Sequence, residues 1–268
     1  MARSHYENFP VASRFVPARF RYPIAVVYAF ARSADDFADE GDLAPRERLE
    51  KLDDYRERLR RLGEDRGGDH PIFVALHDVV SRHRLPLQLF HDLLTAFTMD
   101  VTKRRYEHFS EVLGYCRYSA NPVGRLLLHL YDKAGETNLD HSDDICTALQ
   151  LINFLQDIQQ DLRESDRIYL PLDEMARHGV SEADIREGGN PTAMKRLAEA
   201  QLDRIEAMLK RGAPLGRALP GRVGFELRLT LAGAERIVSH LRTHPDPYAR
   251  PRLTRGDWPR MFWQALIR

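Results

Sequence analysis

The segment from residue 150 to residue 161 reads Gln150-Leu-Ile-Asn-Phe-Leu-Gln-Asp-Ile-Gln-Gln-Asp161 and has the spacing of a helix. Because a helix turns by about 100° per residue, polar side chains at this spacing share one face. That face carries Gln150, Asn153, Asp157 and Asp161. Leucine and isoleucine cover much of the rest. A surface helix keeps its carboxylates away from its apolar stripe, so acids bordered by apolar residues on both sides indicate a polar face that points inward.

A second acid stripe lies near the start of the chain, in Tyr28-Ala-Phe-Ala-Arg-Ser-Ala-Asp-Asp-Phe-Ala-Asp39. The helical period again places four polar side chains on one face, namely Tyr28, Arg32, Asp35 and Asp39. The alanines beside this face leave room for another helix to approach closely. The pattern to be explained is therefore two Asp-x-x-x-Asp pairs, each on an otherwise apolar helix.

The two acid pairs predict a cation site if their helices face one another. Aspartates four residues apart are separated by about 6 Å along a helix, and unit charges at about 6 Å repel by roughly 3 kcal/mol at an effective dielectric of about 20. Several such repulsions are large beside a total stability of about 5–15 kcal/mol. The acids must therefore bind cations or be protonated. Ligands made only of oxygen suit Mg²⁺, which prefers carboxylates, retained waters and phosphate oxygens.

Three other interpretations of the acid pairs compete with a magnesium site. The carboxylates can simply face solvent on two unrelated helices. A di-iron carboxylate bundle needs Glu-x-x-His pairs, and a nucleotide site needs G-x-G-x-x-G or G-x-x-x-x-G-K-[ST]. The sequence contains none of these last patterns.

Composition places the chain among folded proteins and argues against nucleic-acid binding. Of the 268 residues, 43% are hydrophobic and 30% are charged, as is usual for a globular protein. The 40 basic and 40 acidic side chains give a formal net charge of zero, whereas nucleic-acid-binding proteins usually carry a basic excess. The two cysteines lack C-x-x-C spacing and favour neither a disulfide framework nor a zinc site. Without an apolar leader or a bilayer-length apolar run, we expect a cytoplasmic protein.

Apolar spacing, with proline and glycine as boundaries, divides the chain into helices. We predict them over residues 23–39, 45–62, 71–83, 86–100, 107–131, 142–163, 181–187, 192–211, 215–240 and 255–267. Pro122 should interrupt the fifth, because an internal proline removes a hydrogen bond and kinks the helix. Ser142 and Asp143 are predicted to cap the sixth. With no β-rich block or repeat, we predict an all-α fold in which residues 1–268 form one domain.

Three ordered motifs resemble the squalene/phytoene synthase family. The stretch from Tyr28 to Asp39 resembles the family's first aspartate-rich motif. The stretch from Gln150 to Asp161, followed by Arg167-Ile-Tyr-Leu-Pro171, resembles the second. Between them, Tyr115-Cys-Arg-Tyr-Ser-Ala-Asn-Pro-Val-Gly124 is similar to the family's tyrosine-to-glycine segment. Motifs in this order make the resemblance specific over more than half of the chain.

Two further segments resemble the hydroxysqualene synthase branch of this family, which belongs to hopanoid biosynthesis. They are Glu7-Asn-Phe-Pro-Val-Ala-Ser13 and Ser119-Ala-Asn-Pro-Val-Gly124. One position departs from some relatives, because Gln156 stands where they have an arginine just before the first aspartate of the second motif. That exchange removes the charge that an arginine would offer to a diphosphate.

The resemblance implies an α-helical isoprenoid (terpenoid) synthase fold around a central cavity that takes Mg²⁺ and a prenyl diphosphate. The implied metal ligands are Asp35, Asp39, Asn153, Asp157 and Asp161. The implied diphosphate contacts are Arg32 and Arg167, and the implied residues at the reacting end are Tyr28, Tyr115 and Gln150.

In the hydroxysqualene synthase branch the implied substrate is presqualene diphosphate. It would ionise, rearrange and capture one water to give hydroxysqualene and diphosphate, while Mg²⁺ neutralises the leaving group. We expect Tyr115, Tyr118 or Asn121 to position that water. The alternative enzyme joins two prenyl diphosphates, such as farnesyl diphosphate, head to head. The alternative from another class is a non-enzymatic helical scaffold.

The last part of the chain combines basic and aromatic side chains. They are Arg250, Arg252, Arg255, Trp258, Arg260, Met261, Phe262 and Trp263. A segment of this composition can lie on a bilayer surface, or it can pack as an ordinary terminal helix. Peripheral membrane contact is therefore one of two expectations for this region.

Overall fold

A computed structural model describes residues 16–39, 41, 43–62 and 68–267, and the regular structure in these residues is helical. The helices are α1 (Ala18–Asp39), α2 (Pro45–Leu62), α3 (Pro71–His83), α4 (Leu87–Thr102), α5 (Phe109–Ser119), α6 (Asn121–Leu130), α7 (Glu136–Gln156), α8 (Ile158–Ser165), α9 (Leu172–His178), α10 (Glu182–Glu187), α11 (Pro191–Gly212), α12 (Leu215–Ala218), α13 (Gly221–Thr243) and α14 (Trp258–Ile267). The all-α prediction is confirmed. The segment Glu7–Ser13, which carried part of the resemblance, lies outside the described residues.

Proline positions set several helix boundaries. Helices α2 and α3 begin at Pro45 and Pro71, because a proline at the first position has no amide hydrogen to leave unbonded. Pro122 lies in the first turn of α6 and separates it from α5, as predicted. Pro23, by contrast, lies inside α1, which already begins at Ala18, so the prediction that it opens that helix is wrong.

The predicted helix over residues 142–163 differs from the structure at both ends. Helix α7 begins at Glu136, after Gly135, so Ser142 and Asp143 do not cap it. Ser142 is instead buried inside α7. Asp157 has φ −104° and ψ 9° and separates α7 from α8. The amide of Asp161 still donates to the carbonyl of Asp157 at 2.7 Å, so the two acids stay one helical turn apart.

After Pro171, one predicted helix is divided in two and one observed helix was not predicted. The predicted helix over residues 215–240 is divided at Leu219 and Pro220 into α12 and α13, because the proline has no amide hydrogen with which to continue the hydrogen-bond ladder. Helix α9 was not predicted. It follows Pro171 and is too short to show a clear apolar period.

Helix α7 is the centre of the packing. It contacts α5, α6, α11, α12 and α13, and Leu151, Ile152 and Leu155 are buried among those neighbours. Gly124 of α6 permits one of these contacts, since a Cβ there would lie 2.6 Å from the sulfur of Cys146 and still closer to the hydroxyl of Ser142. A second core joins α1, α2, α3 and α4 to α6. The acid motifs lie on helices drawn from both cores.

No helix in the described ranges has both the length and the hydropathy needed to span a bilayer.

Candidate active site

A polar cavity of about 660 Å³ lies between α1, α4, α5, α7 and α8. Its walls include both predicted acid pairs and the two amides of the second motif, namely Asp35, Asp39, Gln150, Asn153, Asp157 and Asp161. Tyr115 and Arg167 also line it. Two stripes that are more than a hundred residues apart in sequence therefore meet at one cavity and do not stand on unrelated helices.

Arginines hold the acids of α1. The guanidinium of Arg32 lies 3.4 Å from a carboxylate oxygen of Asp35 and 2.7 Å from one of Asp36. Arg167, from the loop after α8, donates to the carboxylate of Asp39 at 2.6 Å. It also donates to the main-chain carbonyl of Asp100 at 2.8 Å. Of the two arginines predicted to contact diphosphate, Arg167 lines the polar cavity, whereas Arg32 is paired along its own helix.

The second acid pair is set in a more buried environment. Burial raises the pKa of Asp161 to about 7, and the neighbouring charge of Asp157 adds to the rise. Burial also raises the pKa of Asp157, although Arg250 opposes this shift. Both carboxyl groups therefore resist ionisation in this arrangement. A cation nearby would stabilise their ionised forms and lower both pKa values.

Arg250 reaches the second acid pair from a segment near the end of the chain. Its guanidinium pairs with the carboxylate of Asp157, with one N–O distance of 3.0 Å, and donates to the amide oxygen of Gln160 at 2.8 Å. The side-chain amide of Gln156 donates to the carbonyl of Pro251 at 2.6 Å. Gln156 thus holds the segment that brings a guanidinium to the acids, although it carries no charge itself.

The donor set of the polar cavity fits a hard divalent cation. Within the described ranges, no three histidine, cysteine or acidic side chains stand close enough to form a metal-binding group. Arginines occupy part of the acids' surroundings instead. The carboxylates and the amide oxygen of Asn153 are nevertheless all oxygen donors, and the raised pKa values of Asp157 and Asp161 mark acids that are short of positive charge. Such a set suits Mg²⁺.

Asp100 is a site residue that the sequence reasoning missed. It lies in the last turn of α4 and lines the polar cavity. Its carboxylate accepts hydrogen bonds from the hydroxyl of Tyr115, at 2.9 and 3.1 Å, and from that of Tyr169, at 3.3 Å. Burial raises the pKa of Asp100 to about 7, against the attraction of Arg167, which lies 3.9 Å away. Asp100 therefore fixes two tyrosines in the cavity wall.

A sequence signal for Asp100 did exist. Leu93, Ala96 and Asp100 follow the spacing of a buried helix stripe, and the first two are core residues. An acid at the next position of such a stripe is unusual enough to mark a candidate site. Arg250 offered no comparable signal, because its pairing with Asp157 depends on how the last part of the chain returns to the cavity.

Aromatic rings form one wall of the polar cavity. The rings of Phe154 and Tyr169 are stacked, with centroids 3.8 Å apart and planes 5° from parallel. Tyr115 packs against Tyr169 at 5.3 Å and against Phe154 at 5.9 Å. Their faces and edges lie beside the carboxylates, so the cavity combines acidic and aromatic surfaces.

Two apolar cavities adjoin the polar one. A cavity of about 230 Å³, the upper apolar cavity, shares Ser119 and Gln150 with the polar cavity and is also lined by Tyr28. A further cavity of about 110 Å³, the lower apolar cavity, shares Leu127 and Leu149 with the upper one. The shared walls arrange the three cavities in a series that leads from the acids into the hydrophobic interior.

Two of the residues expected to position a water lie elsewhere. Asn121 is buried and its side-chain oxygen accepts a hydrogen bond from Thr147 at 3.0 Å. Neither Asn121 nor Tyr118 lines any of these three cavities. Tyr115 does line the polar cavity.

Comparisons with known proteins show the family of this chain. A profile of squalene/phytoene synthases matches residues 2–260. The hydroxysqualene synthase of Rhodopseudomonas palustris is 40% identical over 242 residues, which cover 90% of this chain and 81% of that protein. The hydroxysqualene synthase of Sinorhizobium fredii is 38% identical over 237 residues, which cover 88% of this chain and 80% of that protein.

A solved structure extends the similarity to three dimensions. The squalene synthase HpnC from Alicyclobacillus acidocaldarius superposes with a TM-score of 0.82 at 37% identity, over 90% of this chain and 89% of that one. The expected isoprenoid synthase fold is thereby confirmed. From the family match, the sequence identities and the shared fold, we conclude that the chain belongs to the squalene/phytoene synthase family.

Proposed function

We propose that this protein converts presqualene diphosphate and water into hydroxysqualene and diphosphate in a Mg²⁺-dependent reaction. The observation that carries the proposal is the series of cavities, in which a chamber lined by acids shares Ser119 and Gln150 with the upper apolar cavity. A substrate with a diphosphate at one end and long isoprenoid arms matches this division. The similarity to hydroxysqualene synthases supports the choice of reaction.

The polar cavity would take the diphosphate. Asp35, Asp39, Asn153, Asp157 and Asp161 would hold Mg²⁺. When bound, Mg²⁺ would supply Lewis-acid neutralisation of the leaving group. Arg167 and Arg250 already face this chamber and would donate charge-assisted hydrogen bonds to phosphate oxygens. Arg32 would join them by turning from the acids of its own helix.

The apolar cavities would take the isoprenoid arms. Burial of hydrocarbon stabilises the complex by about 25 cal/mol per Å², and the same walls exclude bulk water from a carbocation. Phe154 and Tyr169 would stabilise positive charge through their ring faces. Tyr28 and Gln150, at the upper apolar cavity, would orient the reacting carbons.

The test supplies purified protein with presqualene diphosphate, MgCl₂ and water enriched in oxygen-18. We expect an alcohol that carries oxygen-18 and released diphosphate, and no product when the metal is chelated. Asp161→Asn, prepared in parallel, serves as the control for contaminating activity. Recovery of unreacted substrate, with no release of diphosphate, would contradict the proposal.

The family also contains enzymes that join prenyl diphosphates, so the assay needs a second arm. Farnesyl diphosphate is supplied alone with MgCl₂ and without a reductant. We expect no turnover. Formation of presqualene diphosphate would instead assign the condensing reaction to this protein.

We further propose that α14 touches a membrane surface. Met261 and Ala265 pack inward, whereas Trp258, Trp263, Leu266 and Ile267 each leave 45–67% of their area exposed. Exposed apolar side chains beside Arg255 and Arg260 match the boundary of an anionic bilayer. Flotation with liposomes of anionic and of neutral lipids tests this contact. Trp263→Glu should abolish flotation, whereas Val74→Glu, an exposed apolar position on α3, should not.

A further inference from the structure

Ser119 occupies the boundary between the polar and the upper apolar cavity. It is the last residue of α5, and its side chain contributes to the walls of both cavities. Its hydroxyl oxygen is buried and has no hydrogen-bond partner within the described ranges. A serine hydroxyl that no partner restrains can turn about a single bond, and buried hydroxyls are ordinarily satisfied by a protein group or by water. Ser119 therefore offers a hydrogen-bonding group at the place where the two chambers meet.

Tyr115 lies one turn before Ser119 on the same face of α5, about 6 Å away along the helix. Its hydroxyl donates to the carboxylate of Asp100 at 2.9 Å. Because the phenol proton is engaged in this way, the lone pairs of the phenol oxygen remain available to accept a hydrogen bond from another molecule. Together, Ser119 and Tyr115 can bind one water beside the reacting carbons, with Asp100 behind them.

We propose that Ser119 and Tyr115 bind the water that becomes the hydroxyl group of the product, and that Asp100 takes its proton by way of Tyr115. This inference rests on the proposed function. The C–O bond to diphosphate breaks and its electron pair leaves with the diphosphate. The cyclopropylmethyl cation rearranges. An electron pair of the water oxygen then forms the new C–O bond at a ring carbon, while the ring C–C bond at that carbon breaks and its electron pair moves to the cationic carbon to form a C=C double bond. The oxygen passes one proton to Tyr115, whose own proton moves to Asp100, and the neutral carboxyl later returns the proton to solvent through the polar cavity.

The other residues near the boundary fit this role less well. The side-chain oxygen of Asn121 already accepts from Thr147, and Tyr118 lines neither chamber. The rest of the upper apolar cavity is mostly hydrocarbon.

The first experiment measures products from presqualene diphosphate and Mg²⁺ with Ser119→Ala. Diphosphate release should stay within about threefold of the unmodified protein, because the charged end of the site is intact. The ratio of alcohol to hydrocarbons formed by proton loss should fall by about fivefold to tenfold, as expected for the loss of one hydrogen bond. Ser119→Thr, which keeps the hydroxyl, should restore the ratio. Tyr118→Phe removes the neighbouring hydroxyl and should leave it unchanged.

The second experiment examines Asp100 as a positioning residue and proton acceptor. Asp100→Asn keeps an oxygen that can accept from Tyr115 but cannot take up a proton. We expect kcat for alcohol formation to fall by roughly 10²-fold or more, with KM changed by less than about threefold. A mainly structural role would instead change KM and the melting temperature and leave the product ratio alone. That result would overturn the assignment of the proton to Asp100.

The outcomes separate this inference from the proposed function. If the unmodified protein forms no alcohol, the proposed function fails. If it forms alcohol and Ser119→Ala forms alcohol in the same proportion, the assignment of the water fails while the function stands. Should Asp100→Asn not fold, the Ser119 variants still decide the water site, since that side chain makes no hydrogen bond to lose.

Discussion

The two acid pairs line one cavity, yet different parts of the chain hold them. The pair on α1 lies on an uninterrupted helix, and 41% of the Asp39 side chain is exposed. The pair at the α7–α8 junction is more enclosed, with 26% of Asp157 exposed, and its arginine comes from 93 residues further along. Arg167 neutralises Asp39 directly, whereas Asp161 keeps a raised pKa. The second pair therefore has more to gain from a cation than the first.

The largest expected effect comes from removing one charge in each pair. Asp39→Asn and Asp161→Asn should each lower kcat/KM for presqualene diphosphate by about 10²–10³-fold, as for other lost electrostatic groups. The two substitutions should shift the Tm of the metal-free protein in opposite directions. Asp161→Asn removes a buried charge and should raise the Tm, whereas Asp39→Asn removes the carboxylate that lies nearest to Arg167 and should lower the Tm. Shifts of the same sign in differential scanning calorimetry would contradict the contrast between the pairs.

Replacement of Arg167 and of Arg250 should show the same difference between the first and the second acid pair. Arg167 is only 11% exposed and bonds to Asp39 and to the Asp100 carbonyl, so Arg167→Ala should lose about 3 kcal/mol of stability as well as activity. Arg250 is 35% exposed, so Arg250→Ala should change stability by less than about 1 kcal/mol. Its KM should nevertheless rise. Urea unfolding and steady-state kinetics measure both quantities.

The matched control for these arginine variants is Arg211→Ala, which breaks a surface pair with Asp144, and neither of these two residues lines the polar cavity. It should alter neither stability nor KM appreciably. If Arg250→Ala behaved like this control in the kinetic assay, Arg250 would have no part in binding the diphosphate.

The stability of the metal-free protein should depend on pH through the second pair. The folded-state pKa of Asp161 is raised to about 7 from an ordinary value of 3.8. The folded protein holds the Asp161 proton more tightly than the unfolded chain does, and this stabilises the fold. The stabilisation is complete below about pH 4 and is lost as the pH rises towards 7. The Tm of Asp161→Asn should exceed that of the unmodified protein by an amount that grows between pH 4 and 7 and then levels off.

Magnesium and diphosphate should reduce the difference in Tm between Asp161→Asn and the unmodified protein, because they should stabilise the unmodified protein more. Added together at about 100 times their dissociation constant, they should stabilise the unmodified protein by roughly 2.7 kcal/mol. MgCl₂ alone and diphosphate alone are the controls and should have smaller effects. Asp161→Asn should respond weakly to the combination. An equal shift in the variant would mean that the ligands bind away from the second pair.

The smallest effect should come from Gln156. Its side-chain amide donates a hydrogen bond to the Pro251 carbonyl and thereby positions the adjacent Arg250. Loss of one such hydrogen bond costs about 1 kcal/mol. Gln156→Ala should raise KM by a few-fold. In a double-mutant cycle with Arg250→Ala, the two effects should not add, because the glutamine acts through the arginine. Additive effects would show an independent contact.

Periodicity predicted the parts of the site that depend on local geometry. Acids four residues apart fall on one helix face wherever the chain is helical, so both stripes were visible in the sequence, and Pro122 marked the boundary between α5 and α6. The irregularity at Asp157 was not visible, because no proline or glycine stands there. The roles of Asp100 and Arg250 depend on contacts across 15 and 93 residues. Helical spacing carries no information about such contacts.

The pairing of Arg250 with Asp157 also bears on how the protein is made. At about 5–20 residues per second, a ribosome needs roughly 5–20 s to travel from Asp157 to Arg250. For most of that interval the nascent chain has all four motif aspartates but lacks the guanidinium that pairs with Asp157. The polar cavity therefore gains this guanidinium only after Arg250 has been made, and a shorter nascent chain lacks the positive charge beside the second acid pair.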